Sequence, residues 1–201
     1  MPIQYPDKRV MRTKEKLSEV LLDLMEEKSI DEITITEIVK RADFNRGTFY
    51  AHYEKKEDLL EEIVEGMFEQ LTEAIRKPYA GLSVVDFNEI PASSIILFDH
   101  FLENKRFYRL MMKPSTTYPF HTKMIKELNR LFREEFEFPI TENASNIDIE
   151  LFITYRIYGI IGIIQEWIES DFKNASAYMA DQLIQIMKFY TPTINIKEKG
   201  H

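Results

Sequence analysis

Apolar residues recur every three or four positions along most of the chain, which is the spacing of helices with one buried face. Proline and glycine interrupt this pattern, and no run of residues demands a strand. The periodic segments predict about nine helices, at residues 10–28, 35–42, 46–52, 57–77, 92–104, 105–112, 120–136, 148–170 and 175–190. The fold class is therefore predicted to be all-α.

The stretch from Thr34 to Lys56 is unusual because its second helix is very short and polar. Thr34 and Glu37 fit a capping box for the first helix, and Asn45 is a good N-cap for the second. The second helix carries four hydrogen-bonding side chains: Arg46, Thr48, Tyr50 and His52. So short a helix is unstable alone in water, and its neighbours must hold it. The pair is either an ordinary hairpin with a solvated face or a helix-turn-helix whose second helix enters the DNA major groove.

The same stretch resembles the DNA-binding domain of the TetR/AcrR family of bacterial transcriptional regulators. In that family the two helices carry the pattern T-x-x-x-I-A-x-x-A-G-V-S-x-G-T-x-Y-x-H-F-x-x-K. The chain matches the pattern at Thr34, Ile38, Ala42, Gly47, Thr48, Tyr50, His52 and Lys56, with Tyr53 as the aromatic residue. It departs at Val39, and at Asp43-Phe44-Asn45 where the family has a Gly-Val-Ser turn. Asp tolerates the positive φ that a turn glycine often supplies, so a helix-turn-helix remains the expectation.

The resemblance also implies roles for individual residues. Thr36 and Arg46 take the positions that contact base edges, and Arg46 could pair with O6 and N7 of guanine. Gly47 would let the backbone come close to the DNA. Phosphate contacts, which position a protein without specifying sequence, are implied for Lys14, Thr48, Tyr50, His52 and Lys56. Four apolar motif residues are expected to be core: Ile38, Ala42, Phe49 and Tyr53. Phe44, in the turn, either packs inward, which is the expectation, or touches a thymine methyl group.

The charge of the chain is unevenly distributed. The net charge is −8, yet residues 1–56 hold 11 Lys/Arg and 11 Asp/Glu, whereas residues 57–201 hold 15 and 23. Residues 1–56 are therefore neutral overall, and they must place their cations on one face if they bind DNA. The chain has no cysteine, which excludes disulfides and cysteine-based zinc sites. No motif predicts a metal or another cofactor.

The ends and the apolar runs of the chain predict a cytoplasmic location. The N-terminus lacks the apolar core of a signal peptide. The longest apolar run, residues 151–164, contains Arg156 and with 14 residues is too short to span a bilayer.

The expected domain organisation is a DNA-binding domain at residues 1–56, a linking helix at 57–77 and a ligand-binding and dimerisation domain at 78–201. The helix at 148–170 is apolar nearly all round, so it is expected to be buried on more than one side. It is either the centre of a monomeric bundle or, as the resemblance implies, part of a four-helix interface between two subunits. The candidate interface residues are Gly159, Gly162, Ile163, Met179, Leu183 and Ile186.

The resemblance places a small-molecule effector site in the second domain, which is rich in aromatic residues. The candidate effector-binding residues are Phe98, Phe101, Tyr118, His121, Tyr155, Arg156 and Trp167. Arg156 is a charge within an apolar helix. It either pairs with a carboxylate such as Asp99, Glu103 or Glu166, or anchors an acidic or polar effector.

Two classes of function fit these residues, and a third does not. A dimeric repressor, released from operator DNA by a small molecule of unknown class, is the leading hypothesis. A helix-turn-helix protein that activates transcription or recruits a partner, and binds no small molecule, is the alternative. The chain has no nucleophile elbow, paired-carboxylate signature or phosphate-binding loop, so no enzymatic activity is expected.

Overall fold

The computed structural model describes residues 8–81, 86, 88–113, 116–135 and 147–188, and over these residues the chain is helical with no strand. The all-α prediction is confirmed. The α-helices are α1 Lys8–Glu27, α2 Ile35–Arg41, α3 Arg46–Tyr50, α4 Lys56–Arg76, α5 Leu97–Glu103, α6 Lys105–Met111, α7 Phe120–Glu135, α8 Ile149–Glu169 and α9 Ser176–Lys188. The ends of the two segments predicted to reach residues 136 and 190 lie outside the described residues.

The predicted helix at 92–104 is shorter in the structure. Ala92–Ser94 forms a 3₁₀ turn after Pro91, and α5 begins only at Leu97. Ile95 separates the two, because its backbone takes φ −80° and ψ 89°, outside the helical region.

The first helices pack around one apolar stripe of α1. Leu17, Val20, Leu21, Leu24 and Met25 are all buried. They lie against α2 and α4, whose buried residues include Ile38 and Leu60. The short α3 packs on α2, which α1 covers in turn, so neighbouring helices supply the support that α3 lacks on its own.

The turn between α2 and α3 has a left-handed residue at Asp43, with φ 57°. The Phe44 N–H donates to the Val39 carbonyl at 2.8 Å, and the Asp43 N–H donates to the Lys40 carbonyl at 3.3 Å. This is the hydrogen-bond pattern of a Schellman motif, in which Asp takes the place usually held by glycine. Phe44 packs against the core, as expected.

Helix α4 contacts both halves of the chain, since it packs on α1 and also on α5 and α7. Charged side chains connect the halves further. Glu61 of α4 accepts hydrogen bonds from Lys123 and, at 2.5 Å, from the Tyr118 hydroxyl. Arg106 of α6 pairs with Asp23 and Glu26 of α1.

The later helices form a bundle in which α5 packs on α9, and α8 packs on α6 and α7. Its core holds large aromatic side chains: Phe98, Phe101, Tyr108, Phe120 and Trp167. Helix α8 has 21 residues, longer than the apolar run within it, and by length and composition alone it could cross a membrane. A core helix of a globular protein passes the same test. Only 33% of its most apolar window is buried within this chain, so much of its apolar surface faces outward.

Candidate nucleic-acid interface

Thr36 and Arg46 lie at the exposed ends of the two motif helices. Both side chains are exposed, and Arg46 Nη2 donates a hydrogen bond to Thr36 Oγ1. The two residues predicted to contact base edges are therefore brought together, although ten positions separate them in the chain.

The start of α2 is fixed by the predicted capping box. The Thr34 hydroxyl accepts from the Glu37 N–H at 3.2 Å, and the Glu37 carboxylate accepts from the Thr34 N–H at 2.9 Å. Lys28, the residue after α1, donates to the same carboxylate at 2.6 Å. The hydrogen bonds from Lys28 and Thr34 lower the pKa of Glu37 to about 2. Lys28 was not singled out in the sequence, because its partner is nine residues away on another helix.

The start of α3 is fixed by Asn45, whose side chain accepts from the Thr48 N–H at 2.9 Å. A Cβ added at Gly47 would lie 3.1 Å from the Asn45 Oδ1 atom, which is closer than ordinary contact. Gly47 therefore leaves room for the cap. This is a structural reason for glycine, in addition to the predicted close approach to DNA.

The polar residues of α3 and its C-terminal end surround a buried anchor, Phe49, which is 0% exposed. Tyr50 packs edge-on against Phe49 yet is 53% exposed. Thr48 and His52 are partly exposed, and the Thr48 hydroxyl donates to Asn45 Oδ1 at 3.3 Å. These three side chains remain accessible on the same short segment. The predicted core residues Ile38, Ala42, Phe49 and Tyr53 are all buried.

Two lysines predicted to bind phosphates are placed differently by the structure. The Lys56 ammonium donates to the carbonyls of Asp31 and Ile33 at 3.0 and 2.7 Å, and its side chain is only 16% exposed. The Lys14 ammonium pairs with Glu62 at 2.7 Å and lies 5.4 Å from the centre of the Tyr53 ring. Both cations thus hold the α4 side of the domain together. Their partners come from distant parts of the chain, which the motif does not reveal.

Lys55 is the more accessible neighbour of Lys56. Its side chain is 65% exposed, and its ammonium lies 3.8 Å from the Asp58 carboxylate, a loose ion pair. Sequence reasoning missed Lys55 because the family pattern has its lysine at the position of Lys56.

Comparison with known families supports what this geometry suggests. Residues 19–63 match the family described as "Bacterial regulatory proteins, tetR family". Residues 88–189, about half of the chain, match the TetR-type family described as "Transcriptional regulator C-terminal region". The chain belongs to the TetR family of transcriptional regulators. It is accordingly a DNA-binding regulator.

Individual proteins of this type share only about a fifth to a quarter of their residues with the chain. The chain is 26% identical over 161 residues to the "Uncharacterized HTH-type transcriptional regulator YxbF" of Bacillus subtilis (strain 168), and it spans 40% of that protein's length. A TetR regulator from Streptococcus agalactiae 2603V has a similar fold, with TM-score 0.58, 22% identity and coverage of 90% of this chain and 96% of that one. So has the "Dihydroxyacetone kinase operon activator DhaS", with TM-score 0.59, 18% identity and coverage of 88% and 94%.

The residues predicted to bind an effector of this TetR-family chain differ in their surroundings. Phe98 and Phe101 are 0% exposed core residues, and Trp167 packs edge-on against Phe98 while its indole N–H donates to the Asn174 carbonyl at 3.0 Å. Tyr118 is engaged with Glu61, and His121 with Gln165. Tyr155, by contrast, is 75% exposed. Phe98 and Trp167 are thus in contact within the core, whereas Tyr155 lies on the surface.

The half-buried guanidinium of Arg156 lacks an ion-pair partner among the described residues, and its Nε lacks a hydrogen-bond acceptor. Within the described residues it forms no ion pair, so the predicted pairing with Asp99, Glu103 or Glu166 is not found. Its Nη2 atom lies 2.7 Å from the Met187 sulfur, and its buried Nε has no hydrogen-bond partner. Burial lowers the pKa of Arg156.

The predicted dimer residues separate into two groups. Gly159, Gly162 and Ile186 are exposed, and a Cβ added at either glycine would meet nothing within 4 Å. Ile163 is half-buried. Met179 and Leu183 instead point into the core of their own chain, each 8% exposed, because that face of α9 packs on α5.

The outward surface of α8 and α9 carries exposed aromatic and aliphatic residues. These are Leu151, Tyr155 and Tyr158 on α8 and Tyr178 and Ile186 on α9. Tyr158 and Tyr178 were missed as interface candidates, although their type and helical spacing were visible. Over the described residues, no group of three or more His, Asp or Glu side chains is placed to hold a metal ion.

Proposed function

We propose that this TetR-family regulator is a cytoplasmic homodimeric repressor that reads two DNA half-sites with α3 and leaves the DNA when a small molecule binds its C-terminal part. Residues 1–56 form the reading domain, α4 links it, and residues 78–201 bind the effector and dimerise. The observation that carries the proposal is the exposed Thr36–Arg46 pair on a short helix held by Asn45 and Phe49.

On DNA, Arg46 donates two hydrogen bonds to a guanine edge, and Thr36 contacts the neighbouring base. Thr48, Tyr50 and His52 bind phosphates beside it, and Lys55 takes the phosphate role first expected of Lys56. A contact of this kind between arginine and guanine discriminates against other bases by about 1–3 kcal/mol.

The dimer forms through the outward surface of α8 and α9. The exposed residues there are largely apolar, and the two glycines leave room for a close-packed helix of a second copy. Two copies related by a two-fold axis present two α3 helices to two half-sites. Tyr155→Glu should therefore give a monomer in sedimentation velocity, whereas Tyr50→Glu, an equally exposed aromatic in the reading domain, should remain dimeric. A dimeric Tyr155→Glu protein would rule out this interface.

The decisive experiment is selection of fragments of genomic DNA by the full-length protein, followed by affinity measurement on the selected site. Arg46→Ala should reduce affinity for that site about tenfold or more and relax the preference at one base position. Arg41→Ala is the matched control, because Arg41 is also exposed on the motif helices but pairs with Glu27 of α1. If Arg46→Ala binds like wild type while Arg41→Ala does not, α3 is not the reading helix as proposed.

Activation without a ligand is the second candidate. The observation that favours it is that three of the predicted effector residues, Phe98, Phe101 and Trp167, are buried core residues. The fold does not decide between the two, since the similar structure DhaS is described as an operon activator. Transcription in vitro from the selected fragment distinguishes them, because a repressor lowers transcript yield and an activator raises it.

A further inference from the structure

Arg156 is the charged side chain whose surroundings least satisfy it. It lies on α8, its guanidinium is 5.7 Å from the centre of the Phe152 ring, and its Nη2 faces the sulfur of Met187 on α9. Thioether sulfur is a weak acceptor, so this contact leaves most of the hydrogen-bonding capacity unused. The adjacent Nε is buried and has no partner at all.

The unpaired Nε and the weakly paired Nη2 share one edge of the guanidinium. Nε–H and Nη2–H point in parallel, and this edge matches the two oxygens of a carboxylate. A buried donor without an acceptor destabilises a fold, so such a group usually has an acceptor in the functional state. Phe152 and Met187 beside the guanidinium are apolar, so a ligand held at this edge would need an apolar body.

We propose that the Nε–Nη2 edge of Arg156 binds the carboxylate of a small monocarboxylic acid, whose apolar part lies against Phe152 and Met187. The proposal rests on the effector part of the proposed function and names the chemical class of that effector. It also places the acid between α8 and α9 and away from the aromatic core around Trp167. Acid binding there would act directly on helices proposed to dimerise.

The test uses full-length protein labelled with ¹⁵N and follows the Arg156 Nε–Hε signal, which is assigned by its absence from the spectrum of Arg156→Lys. The probes are sodium benzoate and sodium hexanoate, each paired with its uncharged amide. At least one acid should shift the signal to saturation, and neither amide should. Arg156→Lys keeps the charge but not the planar edge, and should bind the acid about tenfold or more weakly by calorimetry.

Arg156→Met preserves the apolar stem and provides a second variant, with Arg130→Met of the α7 surface as its control. The acid should raise the melting temperature of wild type and of Arg130→Met, and not that of Arg156→Met. The proposal is overturned if neither acid moves the Arg156 signal, or if acid and amide move it alike. It is also overturned if the signal moves with protein concentration alone, because the carboxylate then belongs to a second copy.

Binding of the acid to the protein and release of the protein from operator DNA are measured separately. Acid binding without loss of operator affinity would leave the Arg156 site intact and refute release by this ligand. Failure of the acid to bind would refute the site and leave the DNA-binding proposal untouched.

Discussion

Replacing Lys56 by methionine separates a structural role from a phosphate-binding role. Methionine keeps the apolar stem but loses the ammonium that donates to the carbonyls of Asp31 and Ile33. A hydrogen bond to a charged group contributes about 1.5–3 kcal/mol. The two hydrogen bonds share the single ammonium of Lys56. Removing that ammonium also removes the free-energy cost of burying its charge. We therefore expect a loss of about 2–3 kcal/mol in the free energy of unfolding.

For a chain of this length, each kcal/mol shifts the melting temperature by about 2–4 °C, so calorimetry should show a fall of about 5–10 °C. A salt titration of DNA binding provides the independent readout. Each phosphate contact contributes about 0.9 to the slope of log K against log salt concentration. At a temperature where the variant is folded, Lys56→Met should leave this slope unchanged.

Lys55→Met is the control, because Lys55 is the exposed neighbour with a loose ion pair. It should lower the salt slope by about 0.9 for each reading head while leaving the melting temperature within about 1 °C of wild type. The reasoning fails if Lys56→Met lowers the slope and melts like wild type, since the ammonium would then bind phosphate and not the two carbonyls.

Two further predictions concern the C-terminal helices. Burial lowers the pKa of His100 to about 4, below its ordinary 6.5, so the unfolded chain binds the extra proton between these values and stability must fall as the pH falls through that window. From pH 7 to 5 this loss is about 2 kcal/mol, and urea unfolding should show His100→Gln to lack that part of the pH dependence. Glu61→Gln weakens the link from α4 to Lys123 and Tyr118, so amide hydrogen exchange at the start of α7 should accelerate. Glu65→Gln is its control, because no hydrogen bond or ion pair joins Glu65 to α7 in the part of the chain that the structure describes. Equal exchange in both variants would show that the Glu61 link does not hold α7.

Helix positions could be predicted because each depends on a local pattern. The buried stripe of α1 and the caps at Thr34 and Asn45 follow from residues within one or two turns of each other. The turn at Asp43 could be anticipated from the tolerance of Asp for positive φ.

Side-chain partners across helices could not be predicted in the same way. The acceptors of Lys56 lie 23 and 25 residues away, and whether an ammonium turns toward DNA or toward a carbonyl depends on how α4 packs on the turn before α2. The surroundings of the aromatic residues assigned to one effector site likewise depend on helix packing: Phe98 and Trp167 meet in the core, and Tyr155 lies on the surface. Arg156 was recognisable as unusual, but only the structure shows that no carboxylate of the described residues reaches it.

The hydrogen bond between Arg46 and Thr36 has a consequence for the entropy of DNA recognition. An exposed arginine normally samples many rotamers, and fixing such a side chain at an interface costs about 0.5–1.5 kcal/mol. In this protein the Thr36 hydroxyl narrows that distribution before any DNA arrives. The affinity of α3 is therefore adjustable from α2: Thr36 influences how readily Arg46 docks through the order it imposes, in addition to any base it touches itself.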